Sequence, residues 1–144
     1  MKIALANDHA GFELKEHIKK YLIIKGYDII DFGCDSSESC DYPDFAHPLA
    51  FAVENDLSLK GIVLCGSGNG VNMVVNKHRG IRCAVCWEAE IAKLAIEHNN
   101  ANVCALPARF LSFEKAEKIV DKFLSSHFEG GRHQRRIDKI PIKE

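Results

Sequence analysis

Along the chain, short apolar runs alternate with stretches whose apolar residues recur at helical spacing. The runs are Ile3–Ala6, Ile29–Phe32, Ile62–Cys65, Cys83–Cys86 and Val103–Leu106. Each is four residues long and nearly continuous, as expected for strands of a parallel sheet covered on both faces. Between them, Leu14, Ile18, Tyr21 and Leu22 fall on one helical face, as do Ala46, Leu49, Ala50 and Val53. Ala116, Ile119, Val120, Phe123 and Leu124 repeat the spacing. Gly26 stands where a helix should stop, and Ser112 where the helix that follows it should be capped. Alternating β and α units require right-handed crossovers. The pattern therefore predicts an α/β protein: a three-layer αβα sandwich on a five-stranded, parallel, Rossmann-like sheet. After Phe128, Glu-Gly-Gly breaks the last long helix and a short basic segment begins at Arg132.

The chain has 144 residues, 47% of them hydrophobic, which suits one domain over residues 1–144 with a full core. Lys plus Arg number 19 against 20 Asp plus Glu. That balance gives no reason to expect nucleic acid or an anionic membrane as partner. The N-terminal apolar run is too short for a signal peptide, and no segment approaches the length of a membrane span, so a cytoplasmic location is expected. Six cysteines occur, four of them in or at the ends of strand-like runs. In such a chain they are expected to be reduced. Cys83 and Cys86 have redox-motif spacing but lie along a strand, which favours buried structural thiols over redox or metal chemistry.

In an open parallel sheet, ligands bind beyond the carboxyl ends of the strands. Here that edge carries Asn7-Asp8-His9, Gly33-Cys34-Asp35, the turn Cys65-Gly66-Ser67-Gly68-Asn69-Gly70, Cys86-Trp87-Glu88 and Pro107-Ala108-Arg109. The glycine-rich turn, with a helix expected from near Val71, can present several peptide N–H groups to an anion. It is not a Walker loop, since no lysine follows before Lys77, and Val71 stands where a dinucleotide fingerprint needs glycine. Cys65 precedes these amides, where its thiolate form is favoured. It could serve as nucleophile or general base, or be one more buried strand-end cysteine.

Several separated segments resemble the type B ribose-5-phosphate isomerases and the related galactose-6-phosphate isomerase subunits. They are Asp8-His9-Ala10-Gly11-Phe12, Asp41-Tyr42-Pro43, Cys65 to Gly70, Asn76-Lys77, Gly80-Ile81-Arg82, His98-Asn99, Asn102-Val103 and Gly130 to Arg136, in the family's order along nearly the whole chain. The resemblance implies aldose–ketose isomerisation of a sugar phosphate through an enediolate, with no metal or organic cofactor. It gives Cys65 the role of proton-abstracting base. One branch of the family uses a glutamate just after the turn instead, at a position that here is Val71.

The same resemblance implies that Gly66, Ser67, Gly68, Asn69 and Gly70 hold the enediolate oxygens. Ser67, where many relatives have threonine, would assist ring opening. His98 would protonate the ring oxygen with Asn99 beside it as a ligand, although a histidine at a helix end also has a purely structural reading. Asp8 could orient a hydroxyl or His9, or simply cap a helix; His9 could donate to sugar or phosphate. Arg132 and Arg136, four residues apart, would share a helical face and clamp the phosphate together with Arg109. Family members form homodimers or tetramers with composite sites, so segment 130–144 is expected to complete a neighbour's site. Trp87 and Leu106-Pro107-Ala108 depart from the family pattern at the pocket rim, where they bear on which sugar fits. The alternatives are a hexose 6-phosphate (allose or galactose 6-phosphate) as substrate, a non-catalytic phosphosugar-binding domain, and a thiol redox protein built on Cys83 and Cys86.

Overall fold

The computed structural model describes residues 1–144. Strands β1 (Lys2–Asn7), β2 (Asp28–Asp31), β3 (Lys60–Cys65), β4 (Cys83–Val85) and β5 (Val103–Pro107) alternate with helices α1 (Phe12–Ile24), α2 (Pro43–Asn55), α3 (Asn69–Val75), α4 (Ala89–Glu97) and α5 (Phe113–Ser125). A short helix α6 (Arg132–Ile137) follows. All pairings are parallel, in the order β2-β1-β3-β5-β4. One face of the sheet packs on α1, α4 and α5 through Leu14, Ile18, Leu22, Ala95, Ile119 and Phe123. The other packs on α2 and α3 through Leu49, Val53, Val71 and Val75. This is the three-layer sandwich that the apolar pattern predicts. No helix is long and apolar enough to cross a membrane.

The differences from the expected elements follow from strand position. β1, β3 and β5 are interior, and their apolar runs are buried almost throughout. The edge strand β2 spans Asp28–Asp31, one residue earlier than its apolar run, with alternately exposed residues. At the other edge β4 ends at Val85, before Cys86. α3 starts at Asn69, two residues ahead of expectation, because Gly68 caps it in the left-handed region (φ 76°). The helix end and the helix start are as read: Gly26 has φ 93° beyond α1, and at the start of α5 Ser112 Oγ accepts from Lys115 N–H at 3.1 Å, a cap worth about 1 kcal/mol. α4, which the apolar spacing did not single out, buries Ala92, Ala95 and Ile96.

One buried charge network supports the sheet edge. Lys15 on α1 is fully buried, and its Nζ donates to Asp31 Oδ2 (2.8 Å) and to Cys34 O (3.2 Å), with Glu16 Oε1 at 2.9 Å. Lys19 adds a second ammonium on Asp31 at 2.9 Å. Burial alone would lower the Lys15 pKa, but its bonds to Asp31 and Glu16 raise it above the usual lysine range. Burial likewise works against the Asp31 carboxylate, yet Lys15, Lys19 and the Gly33 N–H hold its pKa below the ordinary value. The network ties α1 to the segment after β2, which borders the pocket described next.

Candidate active site

The chain leaves β1 toward β2 on one side and leaves β3 toward β4 and β5 on the other. The loops after these two adjacent strands therefore diverge, and open a crevice at the topological switch point. A cavity of about 970 Å³ lies there. Asp8, His9, Cys65, Gly66, Ser67, Gly70 and Arg109 line it, seven of the residues singled out from the sequence.

The β1 side is fixed by its own hydrogen bonds. Asp8 N–H donates to Leu64 O (3.2 Å), docking the loop on β3. Asp8 Oδ1 accepts from Gly11 N–H (3.1 Å), so the capping role foreseen for Asp8 is real, over a short 3₁₀ turn. His9 Nδ1 accepts from Cys40 N–H at 3.2 Å. That bond puts the proton of the neutral ring on Nε2, leaving an N–H donor for a ligand. Asn7 Nδ2 donates to Asp8 O (2.8 Å) and Cys34 Sγ (3.3 Å), which locks the strand end to the segment held by Lys15.

On the β3 side, Cys65 is the last strand residue, 5% exposed and facing the cavity it lines. Asn69 N–H donates to Ser67 Oγ (3.3 Å), while the N–H groups of Gly66, Ser67 and Gly68 have no acceptor within the chain. Three free amides beside a thiol form a ready anion nest. Space beside the turn is tight, and least forgiving at Gly70. A Cβ at Gly66 would lie 3.1 Å from an Arg109 guanidinium nitrogen, and one at Gly70 would lie 2.7 Å from the Tyr42 ring. Arg109 is brought there by its N–H, which donates to Gly66 O (3.0 Å), and by β5 lying beside β3 with Pro107 opposite Cys65.

Gly68 and Asn69 do not line the cavity; Gly68 backs against the Pro107 nitrogen and Asn69 opens α3. His98, Asn99, Arg132 and Arg136 do not line it either. His98 caps the end of α4 and stacks on His133, with ring centroids 4.3 Å apart. Arg132 and Arg136 do share α6, as their spacing predicts, and both are exposed along with Arg135. Conversely, Ser39, Cys40, Tyr42, Asp44 and Phe110 line the cavity without having been assigned a role. The loop before α2 folds over the sheet edge, and only Asp41-Tyr42-Pro43, as a shared motif, hinted at it. All six cysteines are free. Cys104 is pushed well above the ordinary thiol range by its hydrogen bond with Cys86 and by burial, as suits a structural thiol.

This is a doubly wound α/β protein whose crevice brings a thiol, an imidazole and a guanidinium around unpaired amides, groups suited to holding an anion and moving a proton. The model of the Ribose/Galactose Isomerase family matches residues 3–140. Ribose-5-phosphate isomerase B of Escherichia coli is 44% identical over 99% of this chain and 96% of its own. The crystal structure of a ribose 5-phosphate isomerase from Thermotoga maritima superimposes with a TM-score of 0.94 at 50% identity, covering 96% of each chain. That of ribose-5-phosphate isomerase B from Mycoplasma genitalium with bound ribulose-5-phosphate gives 0.93 at 44%, covering 96% of this chain and 93% of the other. The chain belongs to the ribose/galactose isomerase family.

Proposed function

We propose that this protein interconverts ribose 5-phosphate and ribulose 5-phosphate, within pentose phosphate metabolism, with Cys65 as the base. The observation that carries the reading is the placement of Cys65 beside the free amides of Gly66 and Ser67 in the cavity that also holds His9 and Arg109. Starting from the aldose, His98 protonates the ring oxygen as the ring C–O bond breaks, and the anomeric hydroxyl passes its proton to solvent with the Ser67 hydroxyl assisting. Cys65 Sγ then takes the proton from C2, and the electron pair moves onto the C1 carbonyl. The enediolate oxygens accept from the turn amides, whose dipoles are already aligned before charge develops. The O2 hydroxyl then passes its proton to O1, the C2–O bond becomes the carbonyl, and Cys65 returns its proton to C1, which completes the ketose. Asp8 holds the loop that carries His9, and Arg109 with Arg132 and Arg136 neutralises the phosphate.

A homodimer (or a tetramer built from such dimers) with composite sites accounts for the separation of the functional residues. Asp8, His9, Cys65, the glycine turn and Arg109 stand on one copy, and His98, Asn99, Arg132 and Arg136 reach the site from another. Mixing Cys65→Ala and His98→Ala proteins under conditions of subunit exchange tests this arrangement. Heterodimers then rebuild one intact site, and turnover should recover to about one quarter of the wild type by symmetry and statistics. Failure to recover any activity despite proven exchange would place both residues on one copy. The six free thiols fit a reducing, cytoplasmic setting.

The substrate assignment is tested by comparing kcat/KM on ribose 5-phosphate with allose 6-phosphate and galactose 6-phosphate. The pentose should be preferred; a higher value on either hexose would replace ribose 5-phosphate as the assigned substrate. Equal inactivity on all three would return the chain to a binding role.

A further inference from the structure

We propose that His98, Glu129 and His133 form a binding site for one divalent cation of the zinc class at the C-terminal end of α4. One ligand atom from each of the three lies within 4.8 Å of the other two. The imidazoles stack with planes 13° apart, and Glu129 Oε2 is 3.5 Å from His133 Nε2. Beyond that long contact neither ring has a side-chain hydrogen bond, so nitrogen donors that zinc prefers stand together unclaimed.

The backbone holds this arrangement from two segments. His98 N–H donates to Leu94 O (2.9 Å) at the end of α4, and Glu129 N–H donates to Glu97 O (3.0 Å), which pins Glu129 beside His98. Gly130 and Gly131, both at positive φ (70° and 59°), turn the chain so that His133 comes back over Glu129. His133 N–H donates to Gly130 O (3.2 Å) and its side chain is only 11% exposed, which makes it the fixed anchor. The Glu129 side chain is 52% exposed and free to swing. Zinc holds nitrogen and oxygen at about 2.0–2.2 Å, so tetrahedral donors sit about 3.4 Å apart. Rotation of Glu129 and His98 about their side-chain bonds closes the remaining gap, and water fills the fourth position. Two imidazoles and one carboxylate select zinc, cobalt or nickel over magnesium and calcium.

The cation is an inhibitor in this scheme, not a cofactor, because a metal on the His98 ring removes the proton donor for ring opening. That consequence rests on the role proposed for His98; the site itself does not.

Titrating the full-length protein with Co²⁺ reads the site without reference to turnover. One cation per chain should bind, with weak visible bands and no intense sulfur-to-metal charge transfer. Glu129→Gln, at an exposed side chain, and His133→Asn should each weaken binding by at least about 10-fold. Zinc should inhibit the isomerase, and Glu129→Gln should raise the inhibitory concentration by the same factor while keeping basal turnover. Charge transfer from sulfur would put the cation on cysteines, and unchanged affinity in Glu129→Gln would take Glu129 out of its ligands; either result overturns the site. Binding as expected, with turnover unaffected at saturating zinc, would instead overturn the inhibition and the role of His98 with it.

Discussion

Cys65→Ala lowers turnover on ribose 5-phosphate by roughly 10²–10⁴-fold, the usual contribution of a positioned proton-transfer group. The magnitude follows from what remains. The free amides of Gly66, Ser67 and Gly68 and the Arg109 guanidinium are held by backbone geometry that does not involve the sulfur. Electrostatic stabilisation of the enediolate therefore survives, and binding of the sugar phosphate should change little. The loss should appear in kcat with KM nearly preserved, since an interaction with the migrating proton exists only in the transition state. A coupled assay for ribulose 5-phosphate gives the turnover, and calorimetric titration gives the affinity. Wild-type turnover in the alanine variant would end the assignment of Cys65 as base. A variant that no longer binds substrate would show that the sulfur shapes the pocket instead.

Asp31→Asn is the substitution expected to cost most in stability, about 3–5 kcal/mol, as for breaking a buried ion pair by removing one partner. The amide oxygen can still accept from Lys15, but the charge is gone, and the fully enclosed ammonium keeps Glu16 as its one carboxylate partner. Chemical denaturation followed by circular dichroism measures the loss, and a change below 1 kcal/mol would mean that Glu16 suffices. The pH dependence carries a sign. The Asp31 pKa is held below 3.8 by Lys15, Lys19 and Gly33 N–H against the opposing effect of burial, so its contribution is complete above the unfolded value and vanishes as pH falls through the lower native one. The Lys15 pKa lies above 10.5 because Asp31 and Glu16 outweigh its burial, so that contribution is complete below 10.5 and is lost only as pH rises through the native value. The wild type should therefore lose stability toward acid, and Asp31→Asn should flatten that limb of the profile. Because Lys15 also holds Cys34 O, the cavity loop that carries Cys40 should loosen in the same variant.

Much of the fold was legible because its signals are local. Apolar runs at β1, β3 and β5 read as interior strands, since both faces of each are buried, whereas β2 and β4 shifted or shortened at the edges where one side lacks a partner strand. The turn after Cys65 announced itself through its glycines, of which Gly68 holds a positive φ and Gly70 lies against the Tyr42 ring. The Lys15–Asp31 pair was invisible, because nothing in the spacing of two charged residues tells that one will be enclosed.

By itself the sequence determined the alternation of strands and helices, the glycine-rich turn and the thiol in front of it, because backbone preference and side-chain periodicity act over a few neighbouring residues. The tertiary structure alone decided that β1 and β3 lie side by side, so that His9, Cys65 and Arg109 meet in one crevice. It also decided that His98 and the α6 arginines stand apart from that crevice, near Glu129 and His133. Such meetings depend on strand order and helix docking, which are set by burial summed over the whole core and leave no mark at any single position.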